Sequence, residues 1–234
     1  MSSDRIQSLK QTGLLSGLSE EELGALVPRC RWKSVKGGEL VIGHRDQSRD
    51  VLFLLTGLAR VSVYSLAGRQ VSFRDIRPGD VVGELSAIDG RARSASVESL
   101  VPSSFMVMPQ GVFHDVLQSR PAVLFATLRH LTTQVRALTD RVFEFSTLAV
   151  RNRVHAEILR LAREPAKGHG GAAAVIRPAP THTEIASRIS THREAVTREL
   201  NRLEGLGIIA REGRTLRVHN LARLEAMVED FSPD

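Results

Sequence analysis

Residues 183–200 read Thr183-Glu184-Ile185-Ala186-Ser187-Arg188-Ile189-Ser190-Thr191-His192-Arg193-Glu194-Ala195-Val196-Thr197-Arg198-Glu199-Leu200. Ile185 and Ile189 recur at helical spacing, as do Val196, Leu200 and then Leu203, so two short helices each offer one apolar face. Ala186 is small where two such helices must cross closely. Ser190-Thr191 supplies a short turn and a hydroxyl cap for the second helix. This packing leaves Arg193, Glu194, Thr197 and Arg198 on the solvent side of the second helix, near its start, where a recognition helix meets base edges. Arginine pairs bidentately with guanine, and glutamate accepts from cytosine N4. The blander alternative is a solvated amphipathic helix whose Glu and Arg pair only with each other. Two strand-like runs count against it: Ile208–Arg211 and Thr215–Val218, joined by Glu212-Gly213-Arg214 as a two-stranded wing.

Just upstream lie a helix over Arg151–Arg163, the segment Glu164-Pro165-Ala166-Lys167-Gly168-His169-Gly170-Gly171, and a short run, Ala174–Arg177, ahead of Pro178 and Pro180. From Val175 to Asn220 there are eight Arg, no Lys and five Glu, a net +3. Base preference must therefore rest on placed side chains rather than on bulk charge. Further back, Leu124, Leu128, Leu131, Val135, Leu138, Val142 and Phe145 recur at spacings of four and three. Placing Leu128, Val135 and Val142 at heptad position a puts Leu124, Leu131, Leu138 and Phe145 at d. That pattern favours a parallel two-stranded coil, hence a homodimer. A helix packed on its own domain would show a wider apolar stripe.

Between Trp32 and Met108 the texture is different. Short β-prone runs, Val51–Leu55, Leu58–Tyr64, Val71–Ile76, Ser94–Val101 and Ser104–Met108, alternate with turn signals at Leu66-Ala67-Gly68-Arg69 and Arg77-Pro78-Gly79-Asp80, which indicates a sandwich or barrel. Ser19-Glu20-Glu21-Glu22 is a capping box opening a helix ahead of them, and Pro109 closes the strand region. Within it, Val82-Gly83-Glu84-Leu85-Ser86-Ala87-Ile88-Asp89-Gly90-Arg91-Ala92-Arg93-Ser94-Ala95-Ser96-Val97 reads as a ligand cassette. Gly83 permits close backbone approach, and Glu84–Ile88 can begin a helical turn with free amides. Arg93 supplies a fixed positive charge beside the Ser94 and Ala95 amides. Glu84 is a poor neighbour for an anion but a good acceptor for a hydroxyl. The ligand expected from these residues has one anionic end and one hydroxylated part.

Composition agrees. Of 234 residues 42% are hydrophobic and 25% charged, as in a soluble globular chain. The net charge of +6 and pI near 10.3 point to an anionic partner. Aromatics are 4%, with one Trp and one Tyr, too few for single-strand binding by stacking, so double-stranded DNA fits better. The lone Cys30 excludes an intrachain disulfide framework and a thiolate cluster. Val51–Ala59, the most membrane-like run, is short and broken by Arg60. Asp4, Arg5 and Lys10 spoil any secretory signal, so no membrane association and a cytoplasmic location are expected.

The cassette resembles the phosphate-binding cassette of cyclic-nucleotide-binding domains. With the coil and the winged helix-turn-helix, and with Leu55-Thr56-Gly57-Leu58 and Ile76-Arg77-Pro78-Gly79-Asp80, nearly the whole chain resembles bacterial regulators of the cyclic AMP receptor protein family. The resemblance implies an α+β chain: a jelly-roll-like β-roll over residues 1–120, a central dimerisation helix over 121–150 and a winged helix-turn-helix domain over 151–234. It implies that Arg93 and the Ser94 amide hold a cyclic phosphate, with Ala95 adjoining. Glu84 takes the ribose 2′-hydroxyl, and Gly83 and Leu85 shape the floor. Where the family offers the purine two adjacent hydroxyl residues this chain has Leu138-Thr139, and Gln134 stands where the best-known member has Arg. Phe73 and Arg74, on the strand leading into the cassette, join the expected ligand set, Arg74 with donors for a guanine edge. Cyclic AMP and cyclic GMP both remain as the allosteric effector.

The resemblance also places Arg193, Glu194 and Arg198 on an Arg-Glu-x-x-x-Arg base-reading pattern, with His182 and His192 as phosphate-side neighbours. It implies a two-fold operator like TGTGA and its inverted repeat, and RNA polymerase contact near Glu164–Gly171. Three rivals are a haem- or cluster-sensing relative, a jelly-roll metalloenzyme and a nucleotide-binding module with a repurposed helix-turn-helix. The first wants clustered Cys or suitably placed His. The second wants a His pair one residue apart plus a carboxylate, and His44 near Asp46 does not supply it. The intact Arg-Glu-x-x-x-Arg face weighs against the third. There is no nucleophile–base constellation, so no enzyme activity, metal, haem or iron–sulfur cluster is expected.

Overall fold

The computed structural model of the chain describes residues 2–66, 68, 70–163 and 174–229. The turn at Leu66-Ala67-Gly68-Arg69 lies partly outside these residues, and Glu164–Gly171 lies wholly outside them. Two compact units emerge, Met1–Arg136 and Ala137–Asp234.

The first unit begins with α1 (Ser2–Lys10) and α2 (Glu20–Leu26). The capping box forms as expected: Glu22 N–H donates to Ser19 Oγ at 3.2 Å, and Ser19 N–H donates to Glu22 Oε2 at 2.8 Å. Eight strands follow, β1 (Arg31–Val35), β2 (Leu40–Ile42), β3 (Val51–Thr56), β4 (Ala59–Tyr64), β5 (Gln70–Ile76), β6 (Val81–Val82), β7 (Ser96–Ser99) and β8 (Ser103–Met108), with α3 (Glu84–Asp89) between β6 and β7. They form two four-stranded sheets in the orders β1-β8-β3-β6 and β2-β7-β4-β5, with every pairing antiparallel. α4 (Gln110–Ser119) and α5 (Pro121–Thr147) complete the sequence of elements, α5 running across the limit between the units.

β3 explains why its sequence reads as an unbroken apolar run. Leu52 and Leu54 bury with Ile76, Val97, Phe105 and Val107 in one core. Phe53, on the opposite face, buries with Leu23, Met106, Phe113 and Val123 in a second. A strand covered on both faces loses the polar alternation of a half-exposed one. The strand expected over Ser94–Val101 is shorter, Ser96–Ser99, and Arg93 just ahead of it pairs its backbone with a loop. Its N–H donates to Asp46 O at 2.9 Å, and its carbonyl accepts from Arg45 N–H at 3.0 Å.

The second unit holds the end of α5, α6 (Val150–Arg163), β9 (Ala174–Ile176), α7 (His182–Arg188), α8 (Arg193–Gly205), β10 (Ile209–Glu212), β11 (Thr215–Val218) and α9 (Leu221–Glu229). Ile185, Ile189, Val196, Leu200 and Leu203 all enter its core with Val154, Ile158 and Leu224. The wing gains a third strand, in the antiparallel order β10-β11-β9. The expected hydroxyl cap on α8 is not made: His192 is the N-cap and makes no side-chain cap bond. Ser190 takes a left-handed φ of 51° in the turn, and Thr191 falls one residue short of the cap position. No helix among the described residues is long and apolar enough to cross a membrane.

Charge is buried beside this core. Glu157 is fully buried. Its carboxylate accepts from Arg141 Nη1 of α5 at 2.9 Å, from Arg188 Nη1 of α7 at 3.3 Å, and from Arg160. A carboxylate taken this far from water survives only with such partners. Removing it would take from buried Arg188 and half-buried Arg141 the carboxylate they share. Glu157→Ala should therefore destabilise the unit by about 3–5 kcal/mol, read from urea unfolding followed by circular dichroism. A loss under about 1 kcal/mol would mean that these pairs behave as exposed ones.

Candidate ligand cassette and nucleic-acid interface

The cassette is built around one buried guanidinium. Arg93 is 4% exposed. It donates through Nε to Ser48 Oγ at 3.1 Å, through Nη1 to Gly83 O at 2.9 Å and through Nη2 to Asp50 O at 2.7 Å. Burial pushes its pKa down, against the upward pull of Asp50, Asp46 and Glu84. Gly83 sits at φ +89°, where a Cβ would meet Arg93 Nη1 at 2.5 Å and Asp50 O at 2.7 Å. Glycine is therefore required there twice over, for conformation and for space. Three of the five guanidinium N–H groups are spent on these bonds, leaving two for an anion.

Glu84 opens α3 and is buried. Two side chains of α5 reach it. Gln134 Nε2 donates to Glu84 Oε1 at 2.9 Å, and His130 Nε2 stands 3.6 Å from the same oxygen and 2.7 Å from the Gln134 amide. Burial raises the Glu84 pKa, but the contacts with His130 and Gln134 and its own backbone amide more than offset this and hold it below the usual carboxylate value. Gln134 was noticeable in the sequence only as a departure from the family pattern, and His130 gave no signal.

Leu85 and Phe73 are each 43% exposed, Ser94 is exposed, and Ala95 is half-buried. Arg74 is half-buried and donates through Nη2 to Val81 O at 2.9 Å, linking β5 to β6, with its other N–H groups left over. Leu138 and Thr139 are exposed and belong to the second unit. Along α5, Leu128, Val135, Leu138 and Val142 are 48%, 62%, 51% and 64% exposed. Leu124 and Phe145 are also exposed, and Leu131 is half-buried. Most of the a/d seam is thus solvent-exposed, Leu131 and Phe145 being the more covered positions.

In the second unit, Arg193, Glu194 and Arg198 are exposed at the start of α8, and among the described residues no hydrogen bond or ion pair engages their side chains. Glu194 and Arg198 do not neutralise each other, as the blander reading required. His192 is exposed beside them, while His182 and Thr197 are half-buried. Thr197 Oγ1 donates to Arg193 O at 3.0 Å and lies 2.7 Å from His182 Nδ1. Behind the helix, His155 Nε2 contacts Glu199 Oε1 at 2.6 Å. Burial lowers the His155 pKa although Glu199 pulls it up.

Two family models match this chain: the cyclic nucleotide-binding domain over residues 32–120 and the Crp-like helix-turn-helix domain over 152–227. Among curated relatives, the CRP-like cAMP-activated global transcriptional regulator of Mycobacterium tuberculosis is 23% identical over 216 residues, covering 92% of this chain and 96% of the relative. Among solved structures, a CooA mutant from Carboxydothermus hydrogenoformans aligns with TM-score 0.79 at 18% identity, covering 96% of this chain and 99% of that one. The c-di-GMP responsive global regulator CLP of Xanthomonas campestris aligns with TM-score 0.71 at 16% identity, covering 83% and 96%. The Mycobacterium relative is a transcriptional regulator and the Xanthomonas one a global regulator of gene expression. With a cyclic nucleotide-binding unit followed by a Crp-like helix-turn-helix unit, the chain belongs to the CRP/FNR family of transcriptional regulators.

Proposed function

We propose that this chain acts as a homodimer on a two-fold DNA operator and that cyclic AMP or cyclic GMP, held in the cassette, sets its affinity for that operator. The observation that carries this reading is the contact of Glu84 with α5. Glu84 is the acceptor for a ribose hydroxyl, and it is already engaged by Gln134 and His130 of the central helix. A hydroxyl that takes Glu84 binds a carboxylate whose Oε1 already holds the Gln134 amide, so occupation of the cassette is felt at a group that α5 contacts. Arg93 keeps two N–H groups for the cyclic phosphate, the Ser94 amide stands next to it, and Gly83 leaves the room. Where the family offers the purine two adjacent hydroxyls, Leu138-Thr139 supplies one. Arg74 gives one N–H to Val81 O and keeps the others as donors for a guanine edge.

The ligand supplies only a difference in binding between two dimer arrangements, and that difference is all the free energy available to move the equilibrium. In the active arrangement the two α8 helices stand about 34 Å apart, one turn of DNA. Arg193, Glu194 and Arg198 then read an operator like TGTGA and its inverted repeat, with His192 at a phosphate. Action on DNA supports a cytoplasmic location. RNA polymerase is the expected further partner. The Xanthomonas relative responds to c-di-GMP, which favours one second reading: an effector other than a mononucleotide.

Fluorescence anisotropy on a labelled TGTGA palindrome, alone and with saturating cyclic AMP or cyclic GMP, tests the switch. Tightening by at least one nucleotide is expected, and equal tightening by both would mean that Leu138-Thr139 has relaxed the choice of base. No tightening by either, with a folded dimer, would send the effector assignment to another molecule.

The dimer makes its own demand. Placing charge at two seam positions, Val135→Glu with Val142→Glu, should turn a dimer into a 25.7 kDa monomer in sedimentation equilibrium, with the circular dichroism of the units retained. A wild-type chain that already sediments as a monomer would contradict the seam.

A further inference from the structure

His182, the first residue of α7, has both ring nitrogens engaged within its own unit. Nδ1 lies 2.7 Å from Thr197 Oγ1 on α8, and Nε2 lies 2.9 Å from Arg211 Nη1 on β10 of the wing. Arginine has donors only, so Nε2 is the acceptor and the proton of the neutral ring sits on Nδ1. Thr197 Oγ1 must then accept from Nδ1–H, and its own proton goes to Arg193 O, 3.0 Å away. Every bond therefore has a fixed direction: Arg211 donates to His182, His182 to Thr197, and Thr197 to the carbonyl of Arg193. The chain joins the wing to the first turn of the helix that carries Arg193 and Arg198.

We infer that His182 is a positioning residue of the DNA-reading surface, a neutral Nδ1–H imidazole that sets Arg211 and Thr197 against the recognition helix, instead of a direct phosphate ligand. Arg211 is exposed and keeps four N–H groups beyond the one given to His182, so the relay presents a wing cation to the DNA backbone in one orientation. Protonation of Nε2 would remove the acceptor and set a second cation against the guanidinium. The charged groups that act on the ring are Arg211 on β10 and Arg193 and Glu204 on α8. Burial and then the two arginines hold its pKa below the ordinary histidine value, while Glu204 opposes them.

The relay and a phosphate contact predict opposite signs with pH. A relay needs the neutral ring, so operator affinity falls as pH drops through the His182 pKa. A phosphate ligand gains from the imidazolium, so affinity rises. The test has two arms on the full-length chain. The first is NMR with ¹⁵N-labelled histidine, the His182 signals being assigned from their loss in His182→Gln, or from their shift in Arg211→Ala should the first variant not fold. The relay requires a protonated Nδ1 and a bare Nε2 at neutral pH, and an Nε2–H tautomer would overturn it. The second arm is anisotropy with the TGTGA palindrome and saturating cyclic nucleotide at about pH 7.5 and about pH 5.5. Wild-type affinity should drop about three- to tenfold more than that of His182→Gln, and a wild-type gain absent from the variant would overturn the inference. The affinity arm rests on the operator reading and the tautomer arm does not, so failure of the operator leaves the tautomer to decide.

Discussion

A guanidinium that is 4% exposed in the wall of a β-roll has to be satisfied from all sides, and the first unit is arranged around satisfying Arg93. Its side chain holds Ser48, the Asp50 carbonyl and the Gly83 carbonyl, and its backbone holds Arg45 and Asp46. One residue thus fastens the loop before β3 to the turn before α3. The same bonds explain why residue 83 is glycine, since any Cβ would displace either the guanidinium or the Asp50 carbonyl. A cation placed in this way is pre-organised for an anion, because the cost of burying it is already met by bonds that leave two N–H groups over.

Glu84 stands next to that cation but faces a different partner. Gln134 and His130 of the central helix both approach its Oε1, so this buried carboxylate ties α3 to α5. In the second unit a parallel arrangement recurs. Glu157 gathers arginines from α5, α6 and α7, so the end of the central helix and the first helix of the helix-turn-helix meet on one buried carboxylate. His155 and Glu199 tie α6 to the recognition helix in the same way. Buried polar contacts of this kind favour discrete arrangements over gradual deformation.

Much of this was legible in the sequence, for identifiable reasons. The two helices at 182–205 announced themselves because their apolar positions all face one core. β3 was visible because burial on both faces makes a continuous apolar run, and the cassette because Gly83, Glu84 and Arg93 keep an unusual company. β1 and β2 were missed: Arg31–Val35 mixes polar and apolar residues on an outer strand, and Leu40–Ile42 is too short to show a period. The Glu157 cluster was invisible because Arg and Glu at these spacings read as a solvated helix face, and only the fold brings 141, 157 and 188 together. The relay at His182 needed Arg211 from the wing, 29 residues away, and no local pattern encodes that meeting. The cap expected from Ser190-Thr191 failed because the turn uses Ser190 for its left-handed residue, which moves the cap position on to His192.

Whether Arg93 makes the cassette a cyclic nucleotide site is tested most directly by calorimetry. Isothermal titration of the intact chain with cyclic AMP and with cyclic GMP, repeated on Arg93→Ala, should show one site per chain for at least one nucleotide. Loss of the guanidinium should weaken that binding by about 3–5 kcal/mol, the scale for leaving a buried charge without its partner. An Arg93→Ala chain that binds the same nucleotide within a few-fold of wild type would contradict the account.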